Sequence, residues 1–241
     1  MEEIQHQQMG YDRAATMFAP DGRILQVEYA EKTIRLGSPS IGIVFKNGVL
    51  VLSDRRQKDK LIVEESINKV NEIDEHIVAV SAGVTSDSRI LVEKARVAAQ
   101  QHRVTYDSAP NTESIVREVA DIMQQFTQYG GARPFGVSMM FAGINGEAVL
   151  YTTDVTGGYL KYRANAIGED DDKIKKMLRE KYTEGLDLKS AMKLAVDIFK
   201  EVLGKDFNIE RFDAGILEKA DGKTEEKVKL RKVSGKEIEK V

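Results

Sequence analysis

Two pairs of short apolar runs, each joined at an Asn-Gly step, constrain this chain more than any other feature. IGIVFK (41–46) and VLVLSD (49–54) flank Asn47-Gly48, while VSMMFAG (137–143) and EAVLYTT (147–153) flank Asn145-Gly146. Asn and Gly both tolerate positive φ, so each step predicts a type I′ turn and an antiparallel hairpin. Gly157-Gly158 predicts a third hairpin leading into YLKYRANA. IVAVS (77–81) adds a strand, and late strands fall near 209–217 and 227–232.

Helical periodicity fills the intervals. Residues 24–36 (ILQVEYAEKTIRL) follow a turn at Pro20-Asp21-Gly22 and stop at Gly37. Their apolar residues fall on several stripes, as in a helix that touches more than one neighbour. Residues 86–103 align Leu91, Ala95, Ala98 and His102; residues 112–129 align Ile115, Val119, Ile122 and Phe126, with Asn111 as N-cap. Residues 172–184 stop at Gly185, and residues 188–203 stop at Gly204. Ser234-x-x-Glu237 reads as a capping box, with Val233 and Ile238 as its hydrophobic staple. Grouped antiparallel strands beside helix pairs predict an α+β fold. A four-layer αββα sandwich, two antiparallel sheets between helix layers, would bury every one of these stripes. No Pro/Gly/Ser-rich linker divides the 241 residues, so a single domain is expected over 1–241.

Composition excludes several function classes. The formal charge of −3 lacks the basic excess of a general nucleic-acid binder. No apolar run is long enough to span a membrane, and MEEIQHQQMG has neither the basic start nor the apolar stretch of a signal peptide. With 0 Cys, thiolate chemistry, disulfides and cysteine-ligated metals are excluded. Together these features point to the cytoplasm.

The remaining candidate sites read as structural. His6, His76 and His102 show no metal-ligand spacing. Glu169-Asp170-Asp171-Asp172 lacks the alternation and internal Gly of a calcium loop, and suits the positive end of the helix it precedes. Tyr129-Gly130-Gly131-Ala132-Arg133-Pro134-Phe135-Gly136 has no following Gly-Lys-Ser/Thr and reads as a demanding loop with an Arg anchor. No cofactor is expected.

One segment changes this reading. Tyr11 through Ala30 (YDRAATMFAPDGRILQVEYA) closely resembles the N-terminal signature of proteasome α subunits, the archaeal type above all. Further matches run in register: Gly42-Ile43, Ser53-Asp54-Arg55-Arg56, Lys69 to Asp74 (KVNEID), Ser81-Ala82-Gly83, and Tyr129-Gly130-Gly131-x-Arg133-Pro134-Phe135-Gly136-Val137-Ser138. The resemblance covers roughly residues 7–217 and implies the αββα sandwich, with an extra N-terminal helix over 24–36, the sandwich over 38–241 and a mobile gate tail over 1–11.

The resemblance also implies what the chain does and does not do. Active β subunits cut with an N-terminal Thr whose own amine serves as base. Here the aligned position is Ser38, which follows a helix, lacks a free α-amine and is succeeded by Pro39. Asp54 and Lys69 align with the supporting acid and lysine, and the preceding helix is expected to cover the cleft. The implied role is a non-catalytic member of a heptameric outer ring of α subunits, which caps β subunits and admits unfolded protein through an axial gate. In that role Tyr11, Asp12, Pro20 and Tyr29 steady the open gate, and Arg13 joins the gating set or bridges subunits. Lys69, Gly83 and Glu28 dock the C-terminal hydrophobic-Tyr-any tails of a regulatory ATPase ring. Two departures stand out: Glu31 occupies a position that is often basic in the family, and Pro39 opens the first strand. Two alternatives stay open at this point. One is an active N-terminal-nucleophile hydrolase formed by cleavage before Ser38; the other is a free-standing peptide-binding module.

Overall fold

A computed structural model describes residues 16–56, 59, 61–63, 66–219 and 228–241. The first helix, α1 (Leu25–Leu36), leads into the hairpin β1 (Ser40–Phe45) and β2 (Gly48–Asp54). A second hairpin, β3 (Asn71–Asp74) and β4 (Ile77–Gly83), is followed by α2 (Thr85–Tyr106) and α3 (Thr112–Phe126). Then come β5 (Val137–Asn145), β6 (Glu147–Thr153), β7 (Tyr159–Lys161) and β8 (Ala164–Ile167). The helices α4 (Asp171–Lys181) and α5 (Leu188–Leu203) and the strands β9 (Phe212–Lys219) and β10 (Val228–Ser234) complete the order.

The strands form two five-stranded sheets, ordered β10-β9-β2-β1-β8 and β3-β4-β5-β6-β7, with every pair antiparallel. Burial on both faces explains why the central strands read as continuous apolar runs. In β2, Leu50 and Leu52 pack under α4 and α5, while Val49 and Val51 face the other sheet. In β4, Ile77 and Ala79 pack under α2 and α3, while Val78, Val80 and Ala82 face the other sheet. Three stacked apolar layers therefore separate helix pair, sheet, sheet and helix pair, which is the αββα sandwich expected from the sequence.

Several local expectations need correction. Gly48 and Asn47 do not adopt positive φ; Phe45 pairs with Gly48 across a Lys46-Asn47 turn. Gly48 answers a different need, because a Cβ there would lie 2.0 Å from the Leu217 carbonyl oxygen. At the second step only Gly146 is left-handed, with φ 71, while the Asn145 side chain accepts the Thr112 amide at 2.8 Å. The segment after Gly158 is two strands, one in each sheet, so this stretch crosses the sandwich. Asn71–Asp74, not read as a strand, pairs with β4. The helix expected over 172–184 ends at Lys181, where Tyr182 turns extended and its hydroxyl reaches the Val44 carbonyl at 3.1 Å. The helix expected over 112–129 ends at Phe126, and residues 209–211 form a 3₁₀ turn before β9. Ser234 makes no side-chain cap to the 3₁₀ segment Gly235–Lys240, although Val233 and Ile238 do pack onto the same core. Asp170 takes φ 56 and does not cap α4, whose first turn carries Asp171 and Asp172. Asn111 caps α3 as expected, accepting the Glu113 amide at 2.8 Å.

Candidate functional site

The helix α1 packs against β4 and β5. Val27 and Ala30 bury against Val155, and Ile24 and Ile34 pack beside them. Its several apolar stripes thus meet several neighbours. The helix was expected to cover the cleft beside Ser38; instead it leaves a cavity on each flank.

The first cavity holds about 610 Å³, with Leu36, Gly37 and Ser38 as one wall and Lys69, Ser81 and Gly83 among its other lining residues. Lys69 donates from Nζ to the Ser81 carbonyl at 2.9 Å. Burial pushes its amine down to about 8, against the pull of the Asp54 carboxylate, with Arg56 adding to the fall and Asp213 opposing it. Gly83 sits at φ 123, and a Cβ there would meet the Gly136 carbonyl oxygen at 2.2 Å. Only glycine permits that backbone-to-backbone approach. Gly37 is pressed in the same way, since its Cβ would lie 2.2 Å from the Gly83 nitrogen.

Asp54, fully buried, is committed elsewhere. Arg211 grips it through Nε at 2.9 Å and Nη2 at 2.5 Å, and the Arg56 amide donates to it at 2.8 Å. A buried carboxylate demands such partners. Pro39 is tolerated at the head of β1, where its carbonyl accepts the Asp54 amide at 3.0 Å. The residues at 129–136 form the anchored loop expected. Arg133 clamps Asp87 with two bonds of 2.7 and 2.8 Å, and the Gly136 amide adds a third at 2.9 Å. Burial works against ionisation of Asp87, yet Arg133 and that amide hold its carboxyl below the ordinary value.

The second cavity, about 540 Å³, lies on the other side of α1 against β6, β7 and β8, with Glu31, Arg35, Asp154, Asp171 and Lys175 as its charged groups. Burial, then Asp154 and Glu28, raise the Glu31 carboxyl above its ordinary value.

Of the residues singled out in the sequence, Lys69, Gly83 and Ser38 come together in the first cavity. Glu28 does not join them; it pairs with Arg23 at 3.2 Å. Arg23 also holds Asp21 at 2.7 Å, and so ties the Pro20 turn to α1. In that turn the Gly22 amide donates to the Ala19 carbonyl at 2.8 Å. Tyr29 is half-buried, with the Lys32 ammonium 5.3 Å from its ring centre. Tyr11, Asp12 and Arg13, and the expected gate tail over 1–11, lie outside the described residues. His76 is a core residue bonded to the Pro110 carbonyl at 2.8 Å, and His102 stacks on Tyr106. Among the described residues no His, Asp or Glu cluster could hold a metal, and no helix is long and apolar enough to cross a membrane. Sequence reasoning missed Arg211 and Thr33. Their partners lie 157 and 103 residues away, beyond any local signal.

Fold and cleft define an αββα sandwich of two antiparallel five-stranded sheets in which a helix precedes the first strand. Similarity to known proteins narrows this further. Residues 34–217 match the proteasome subunit family, and residues 11–32 match the N-terminal signature of its A-type members. A relative from Archaeoglobus fulgidus, named proteasome subunit alpha, is 40% identical over 217 residues, covering 90% of this chain and 88% of its own. Relatives of the same name from Methanosarcina acetivorans and Pyrococcus horikoshii are 41% and 39% identical, covering 96% and 97% of this chain and 92% and 87% of their own. The chain belongs to the proteasome subunit family, on its α branch.

Proposed function

We propose that this α-type chain is non-catalytic, assembles as the heptameric outer ring on β subunits, gates the entry of unfolded protein, and docks the C-termini of a regulatory ATPase ring. The observation that carries this reading is the open cleft with the Lys69 ammonium beside the bare backbone of Gly83. A tail's terminal carboxylate would add, from the cleft side, to the pull of Asp54 and Asp213 on Lys69, in a charge-assisted contact worth roughly 1.5–3 kcal/mol. Several tails on one ring would add up through effective concentration.

The non-catalytic role is supported at two points. The Ser38 nitrogen is an amide to Gly37, whose carbonyl accepts the Glu169 amide at 2.9 Å, and Asp54 is engaged by Arg211. For gating, a polar stretch of about ten residues would reach about 35 Å when extended. Tyr11, Asp12, Pro20 and Tyr29 would steady its open form, with Arg13 beside them, and the Arg23 contacts give the Pro20 turn a fixed footing on α1. Exposed Leu61 (90%) and Val104 (87%) suit a protein that covers more of its surface on assembly. Action in the cytoplasm, without a cofactor, completes the reading.

The test is Lys69→Ala in the assembled particle. Assembly should persist while ATPase-stimulated degradation is abolished; normal stimulation would refute docking at this cleft. A second reading has one observation in its favour, that Ser38 and Lys69 line the same cavity. An active hydrolase would require cleavage between Gly37 and Ser38, and the intact mass of the mature chain separates the two.

A further inference from the structure

The Lys69 cleft is bordered by the first turns of α2. The Ser88 hydroxyl donates to the Ser81 hydroxyl at 2.6 Å, and the Ser81 carbonyl accepts Lys69 Nζ at 2.9 Å. The start of α2 is thereby fixed beside Lys69. Arg89 and Arg96 line the same cleft from that helix. They stand two turns apart, about 10 Å along the axis at about 1.5 Å per residue.

The cations of the cleft differ in how far they are committed. Arg96 donates from Nη1 to Glu93 at 2.6 Å and from Nε to the Glu72 carbonyl at 2.8 Å. Arg56 pairs with Glu169, and Arg55 lies 3.4 Å from Asp213. Glu93, the carboxylate among the described lining residues, is taken up by Arg96. Arg89 is exposed and, among the described residues, makes no ion pair or side-chain hydrogen bond. The described lining is therefore net positive, with Arg89 as its uncommitted charge.

A docked tail has more than its terminal carboxylate to place. With that carboxylate at Lys69, the residues ahead of the last three leave the cleft past these guanidinium groups. An extended chain advances about 3.3 Å per residue, so about three residues span the interval from Arg89 to Arg96. We propose that the cleft selects tails whose residues just ahead of the hydrophobic-Tyr-any end are acidic, with Arg89 as the specificity-determining contact. This rests on the docking reading above and adds the chemistry of the partner. Lys69 serves any chain-terminal carboxylate alike, whereas Arg89 meets a side chain and so tells one tail from another. A guanidinium fork matches a carboxylate with two parallel hydrogen bonds. A basic residue at the same place meets like charge, which rejects the wrong tail as well as favouring the right one.

The experiment uses the particle assembled with its β partner and three synthetic peptides. All share one hydrophobic-Tyr-any end, and the three residues ahead of it are all Glu, all Gln or all Lys. Affinities are measured by fluorescence anisotropy for wild type, Arg89→Gln and Arg89→Glu. Both substitutions fall on an exposed helix position, so the fold is retained, which a thermal melt checks. Wild type should bind the Glu peptide about ten-fold tighter than the Lys peptide, with the Gln peptide between them. The gap should close at about 1 M salt, where the screening length is about 3 Å. Arg89→Gln should weaken the Glu peptide about three-fold, the range of an exposed ion pair, and leave the Gln peptide unchanged. Arg89→Glu should erase or reverse the order of the Glu and Lys peptides. Equal affinity of wild type for all three peptides leaves docking standing and sinks this inference alone. A preference for Glu that survives Arg89→Glu undiminished overturns the role of Arg89. If wild type binds none of the peptides, the docking reading fails and this inference with it.

Discussion

The two cavities that flank α1 are close in size, about 610 and 540 Å³, and unlike in charge. Among the described residues, one gathers Arg55, Arg56, Lys69, Arg89 and Arg96 with the carboxylate of Glu93. The other sets Glu31, Asp154 and Asp171 against Arg35 and Lys175. Each holds a group displaced from its ordinary ionisation by burial, an amine lowered on one side and a carboxyl raised on the other. They differ most in their walls. The basic cavity is walled by backbone at Gly37 and Gly83, whereas Gly158 in the acidic cavity faces the Asp154 side chain, whose carboxylate accepts the Thr156 and Gly158 amides. A backbone wall beside clustered cations suits a recognition site; internally paired charges, Lys175 with Asp171 at 2.5 Å among them, suit a structural joint.

The largest test of this contrast is in the walls themselves. Gly83→Ala places a Cβ against the Gly136 carbonyl at φ 123 and should cost about 3 kcal/mol or more of stability, read from chemical denaturation. Gly158→Ala meets only the Asp154 carboxylate and should cost about 1 kcal/mol or less. Equal costs would erase the distinction. Next in size is function: Lys69→Ala should abolish stimulation by the regulatory ATPase, while Glu31→Gln on the opposite flank should leave it intact. Removal of residues 2–11 should raise small-peptide hydrolysis by the assembled particle without any ATPase; an unchanged rate would argue against a gate.

The smallest effects concern pH. The Lys69 amine, lowered from 10.5 to about 8 in the folded chain, binds fewer protons there than when unfolded, so stability should rise with pH between about 8 and 10.5. Glu31 has the opposite sign: its raised carboxyl makes ionisation unfavourable to folding, and stability should improve as pH falls through its titration. Thermal melts of Lys69→Met should lose the alkaline rise, and those of Glu31→Gln the weaker acid one. Docking itself needs the ammonium, so tail affinity should fall above about pH 8.

Sequence reading reached the sandwich because its central strands are buried on both faces, which writes them as apolar runs in any register. Hairpin positions were legible for the same reason, as was the left-handed Gly146, while the reason for Gly48 was not. Gly48 is small to clear Leu217, a residue far along the chain, and not to turn a corner. The split of 159–167 between two sheets left no local mark, because Tyr159–Lys161 and Ala164–Ile167 are both short and neither is bounded by a turn signal that separates them. Lys69 and Gly83 were legible by family resemblance alone. The bond from Thr33 to Gly136 and the grip of Arg211 on Asp54 were invisible, since their partners lie 103 and 157 positions apart.

The central claim is that Lys69 receives a chain-terminal carboxylate. It is tested most directly by titrating the assembled particle at about pH 7, where the Lys69 amine is still protonated, with two forms of one hydrophobic-Tyr-any peptide, the free acid and the C-terminal amide. The account predicts that the acid binds and opens the gate, that the amide does neither, and that Lys69→Ala removes the difference between them. Equal binding of acid and amide to the wild-type particle would contradict it.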